Sequence, residues 1–114
     1  MTAPTIHDLE GRLAAAAPEF MAWMREKRVW EWEREDDEET AFLLLDHLRL
    51  WLLEHRRERQ ALPRVWEGVE ALAATEDPVL LNALMTALLE GHWPKAQQRL
   101  MGPRTRALWD QMRP

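Results

Sequence analysis

The sequence predicts an all-α fold, a compact array of about six or seven antiparallel helices forming a helical bundle or a small solenoid-like stack. Three observations carry that expectation. Leu, Ala, Glu, Arg, Met and Gln, all good helix formers, dominate the chain, whereas Ile6 is its sole isoleucine and tyrosine is absent. Pro18, Pro63, Pro78, Pro94 and Pro103 each stand just before an apolar-periodic stretch. Proline lacks an N–H and is tolerated in the first helical turn, so each marks a start. The stretches between them are joined by short connections, which places successive helices antiparallel. At 114 residues the chain is the size of one domain, residues 1–114.

The first helix is expected from Thr5, a capping residue with Asp8 three positions on, and Ile6, Leu9, Leu13 and Ala16 form its apolar face. The second is expected from Pro18 to about Glu35, with Phe20, Trp23 and Met24 together and Trp30 a further turn or two along; VWEWE alternates with period two, and the alternative for it is a short extended piece. The third, over about 37–58, carries Leu44, Leu45, Leu48, Trp51, Leu52 and His55 at the 3.6 period. Phe42, Leu43, Leu50 and Leu53 make much of its other side apolar, which predicts a central helix covered all round. Pro63 is expected to open a fourth helix with Val65, Trp66, Val69, Leu72 and Ala73 on one face. In TEDP, Asp77 is placed to cap a fifth, with Pro78 at its first position and Leu81, Leu84, Met85 and Leu88 as its stripe. Gly91 and Gly102 close the helices before them, and two short helices near 94–101 and 103–112 contribute Leu100, Leu108, Trp109 and Met112.

The chain has no Cys, hence no disulfide and no thiolate metal site, which fits a reducing compartment. Residues 1–20 lack the basic start and long apolar stretch of a signal peptide. The apolar run 78–89 is far shorter than the ~20 residues that span a bilayer. A cytoplasmic protein without membrane partners is expected. Residues 1–40 carry a net charge of −6 and residues 41–114 a net charge of +1, and the negative first third disfavours nucleic acid as a partner. With neither Ser nor Cys, and with four isolated glycines, there is no common activated nucleophile and no phosphate-cradling loop. The expectation is no enzyme and no cofactor. Metal binding is not expected either, because His7, His47, His55 and His92 are dispersed; the weaker alternative is a small metal-dependent enzyme using Asp46, His47 and His55.

Residues 31–40, EWEREDDEET, hold seven carboxylates and one arginine. Asp36, Asp37, Glu38 and Glu39 fall at the expected start of the third helix and Arg56, Arg57 and Arg59 at its end, the arrangement that the helix dipole favours. Glu31, Glu33 and Glu35 precede that turn, and capping does not explain them. Three readings stand: a solvated helix start, a recognition surface for a basic protein, or a hard-cation site. Trp51, Trp66 and Trp109 lie among apolar residues at helical spacing and are expected in the core, and Trp93 in GHWP is expected as a packing plug. Trp30 and Trp32 flank Glu31 inside the acidic stretch, where aromatic residues suit an interface.

The stretch ALAATEDPVLLNALMTALLE followed by LMGPRTRALWDQM resembles small bacterial all-helical domains of unknown function, often encoded near toxin and immunity genes. Asp77, Asn82, Leu89 and Glu90 match that group's acidic turn, Asn and terminal Leu-Glu, and Gly102 and Pro103 match its late Gly-Pro. The likeness covers about residues 40–112, leaves residues 31–39 outside it, and implies no catalytic residues. It implies a binding role, immunity among the readings. The resulting expectation is a non-enzymatic protein-binding module that meets a basic partner, such as a toxin, through Trp30, Glu31, Trp32, Glu33, Glu35, Asp36, Asp37, Glu38 and Glu39. The alternative is a self-associating structural protein, a homodimer formed through an apolar stripe of the last helices.

Overall fold

The computed structural model describes residues 3–27 and 37–112, Asp37 by its backbone only. Among these residues the fold is all-α, as the composition predicts. A single 3-10 turn, Ile6–Asp8, leads into α1 (Leu9–Ala16), followed by α2 (Pro18–Glu26), α3 (Asp37–Glu54), α4 (Ala61–Leu72), α5 (Pro78–Ala83), α6 (Lys95–Gln98) and α7 (Pro103–Met112). A π-helical segment, Leu84–Leu89, continues α5.

The long helix α3 organises the rest. It packs against α1, α2, α5 and the π-helical segment, while α4 packs against α1 and α7. Leu44, Leu45, Leu48, Trp51 and Leu52 of α3 are buried, as their period predicts. The opposite side is not covered all round: Phe42, Leu43 and Leu53 are only half-buried, and Leu50 faces solvent at 46 % exposure. Asp46, Leu50 and Glu54 recur four residues apart and are all exposed, so this line is the solvent stripe of an otherwise central helix.

Several boundaries differ from the sequence expectation. Helix α2 ends at Glu26, and the remainder of its expected length lies outside the described residues. Helix α3 ends at Glu54 rather than near 58, because side chains and turn bonds take up its last carbonyls. Helix α4 starts at Ala61, which puts Pro63 at its third position, still within the turn whose N–H groups need no helical acceptor.

In α5 the expected stripe shifts. Leu80, Ala83, Leu84, Ala87, Leu88 and Leu89 are buried, whereas Leu81 and Met85 are half-buried. Bonding from i to i+5 widens the turn and turns the consecutive residues Ala87, Leu88 and Leu89 inward, an outcome a 3.6-residue period does not produce. The Thr86 hydroxyl donates to the Asn82 carbonyl beside this change of pitch. Arg49 of α3 closes the far end, donating to the carbonyls of Leu88 and Glu90 with its guanidinium 5.1 Å from the Trp93 ring. Gly91 follows with φ 98°, a conformation glycine adopts without strain.

Two close junctions hold the helices together. A Cβ added to Gly68 would lie 2.4 Å from Ala16 Cβ, so the missing side chain lets α4 approach α1. Asp77 caps two elements at once: one carboxylate oxygen accepts from Val79 N–H at the start of α5 (3.0 Å) and the other from Ile6 N–H (2.9 Å). The Ile6 N–H is the main reason the Asp77 carboxyl is held below its ordinary pKa. Asp8 is likewise held low, chiefly by the Thr5 N–H that its carboxylate accepts at 2.8 Å. A third carboxylate, Glu70, accepts from the backbone N–H groups of Arg104 and Thr105 and from the Thr105 hydroxyl, capping α7 from outside the helix.

Candidate functional site

Of the nine residues expected to meet a partner, three, Asp37, Glu38 and Glu39, begin α3. Trp30, Glu31, Trp32, Glu33, Glu35 and Asp36 lie outside the described residues, and of Asp37 only the backbone is described, as the first residue of α3. Glu38 and Glu39 stand exposed in its first turn, where the dipole of the helix favours their charge. At 18 residues and about 1.5 Å each, α3 is about 27 Å long. Arg56, Arg57 and Arg59 follow the other end, just past Glu54, and all are exposed. The arginines that follow α3 therefore stand too far away to pair with the glutamates that begin it. One helix separates a negative pole from a positive one.

The end of α3 is built with care for its carbonyls, four of which have no helical donor. The Trp51 carbonyl receives the His55 N–H and pairs with His55 Nδ1. The Leu53 carbonyl receives Arg56 Nε at 3.0 Å, and the Leu52 carbonyl receives Gln97 Nε2 at 2.7 Å. Gln97 is only 1 % exposed, and its Oε1 accepts the Trp66 indole N–H at 2.5 Å. The sequence reading overlooked Gln97. Its signal was positional, since it lies three and four residues before Leu100 and Met101 and so shares the inward face of its turn.

Over Gln97 lies a groove of about 340 Å³, lined by Leu62, Pro63, Pro94, Ala96 and Leu100, with Arg56 and Arg59 on its rim. The side chain of Arg59 makes no hydrogen bond or ion pair among the described residues. An apolar floor beneath two exposed guanidinium groups suits a ligand that is itself part acidic and part apolar. This groove was not foreseen from the sequence, because Arg56 and Arg59 converge with Pro94 and Leu100 only through the turn after α3.

The Asp46, His47 and His55 constellation does not assemble. His47 and His55 lie on one face of α3 with Trp23 of α2 against them, its ring centroid 6.5 and 6.3 Å from theirs. Each histidine's Nδ1 pairs with the carbonyl four residues back, and His55 also stacks on Trp51 at 4.9 Å. Asp46 points to solvent instead. Among the described residues, no three His, Asp or Glu side chains come together as metal ligands would.

The tryptophans expected in the core are there. Trp51, Trp66, Trp93 and Trp109 are all buried, and Trp66 meets Trp93 edge to face at 5.1 Å. Leu108 and Met112 of α7 are half-buried and pack against the core. Among the described residues no helix is long and apolar enough to cross a membrane. Compared with known proteins, the chain matches no family model, no curated protein and no solved structure.

Proposed function

We propose that this chain is a non-enzymatic protein-binding module of the cytoplasm, an immunity-type protein whose acidic pole at residues 30–39 covers a basic partner such as a toxin. The observation that supports this reading is the placement of the exposed Glu38 and Glu39 about a full length of α3 from the arginines that follow it. Exposed negative charge attracts a basic partner, speeds encounter and rejects acidic competitors. Trp30 and Trp32, inside the same stretch of sequence, supply the apolar area that charge alone lacks.

The test is retention of a basic partner from the native host's extract at low and at high salt. The expected result is retention at low salt, loss at high salt, and loss when Glu31, Glu33, Asp36 and Asp37 are all changed to lysine, with the helical circular dichroism unchanged. Absence of any basic partner, or equal retention by the charge-reversed chain, overturns the reading.

A further inference from the structure

We infer that the arginine-rimmed groove at the end of α3 is a docking surface for a second copy of this chain, which inserts the acidic start of its own α3. The inference does not rest on the proposed function, because it concerns purified chain with no other partner present.

Charge selects this pairing over others. The chain carries a net charge of −5, so two copies repel unless a positive region of one faces a negative region of the other. Arg56 and Arg59 on the groove rim provide such a positive region, and Glu38 and Glu39, with the carboxylates that precede them in sequence, provide the negative one. The two regions flank opposite ends of the same helix, so docking brings the N-terminal end of α3 in one copy to the C-terminal end of α3 in the next, where the dipole charges are opposite. The groove floor of Leu62, Pro63, Pro94 and Leu100 takes an apolar side chain, and the acidic stretch brings Trp30 and Trp32 in its sequence.

The contact joins two different surfaces, so it is heterologous: of two docked copies one keeps its acidic pole free and the other its groove, and association continues into a ring or a chain of copies. This differs in kind from a homodimer formed through an apolar stripe. It is polar, it weakens with salt, and it is not limited to two copies.

Sedimentation equilibrium of the full chain over a range of concentrations tests it. At low salt the weight-average mass is expected to rise above 13.5 kDa with concentration, and the association constant to fall about tenfold or more at high salt. The double variant Arg56→Glu, Arg59→Glu is expected to remain monomeric, and so is the variant with Glu31, Glu33, Asp36, Asp37, Glu38 and Glu39 all changed to lysine. Circular dichroism verifies that each folds. An equimolar mixture of the two variants is expected to associate again, because the unchanged acidic pole of the first then meets the unchanged groove of the second. A monomer at every concentration, association that persists at high salt, or a mixture that stays monomeric overturns the inference. None of these results decides whether a basic protein binds the acidic pole.

Discussion

The two ends of α3 solve the same problem by different means. At the C-terminal end, carbonyls without helical donors are met by directed bonds: His55 on Trp51, Arg56 on Leu53, and buried Gln97 on Leu52. At the N-terminal end, the described first-turn side chains Glu38 and Glu39 stand exposed, where the dipole favours their charge. Directed bonds demand one residue type in one place. A charge effect on the dipole tolerates exchange and is screened by salt.

The largest expected effect breaks the directed end. Gln97→Leu leaves both the Leu52 carbonyl and the Trp66 indole N–H buried without partners, at a cost of about 3 kcal/mol. Urea unfolding monitored by tryptophan fluorescence measures it. Gly91→Ala is expected to cost about 1–2 kcal/mol, because φ 98° suits glycine and the new Cβ would lie 2.9 Å from an Arg49 guanidinium nitrogen. The same unfolding curves report it.

Asp77 sharpens the comparison, since it is a carboxylate that caps by directed bonds. Its folded-state pKa lies below the ordinary 3.8, so the folded chain binds fewer protons than the unfolded one near that pH. The stability it contributes is present above about pH 4 and is lost as pH falls through the folded value. Asp77→Asn is expected to flatten that part of the acid limb, read from urea midpoints taken between about pH 6 and pH 2. The smallest effect belongs to the acidic end. Glu38→Gln or Glu39→Gln is expected to cost about 0.3–1 kcal/mol at low salt, and thermal unfolding at two salt concentrations should show the difference shrinking.

What the sequence disclosed follows from how local each signal is. Proline-marked starts, the 3.6 period of α3 and the Asp77 cap depend on neighbours within a turn, and these are legible: Pro18, Pro78 and Pro103 open α2, α5 and α7. The Arg59 groove, the Gln97 bonds and the Glu70 cap on α7 depend on residues 31 to 45 positions apart in the bonded cases, which no window along the chain contains. The shifted stripe after Ala83 fails for another reason, because a change from i+4 to i+5 bonding alters the period that the reading assumes. Of the acidic site, composition and position were legible; Glu38 and Glu39 stand exposed, and residues 30–36 lie outside those described.

The bond from Ile6 to Asp77 spans 71 positions, and the Thr75 hydroxyl reinforces it by donating to the Pro4 carbonyl. On a ribosome, residue 6 is made long before residue 77. Until the TEDP turn exists, the leading 3-10 turn has no acceptor from that side, and joining such distant segments carries a loop-closure cost that nearby helix pairs do not face. The clasp is therefore expected to shut late in folding, and mutations there should hasten unfolding more than they slow refolding.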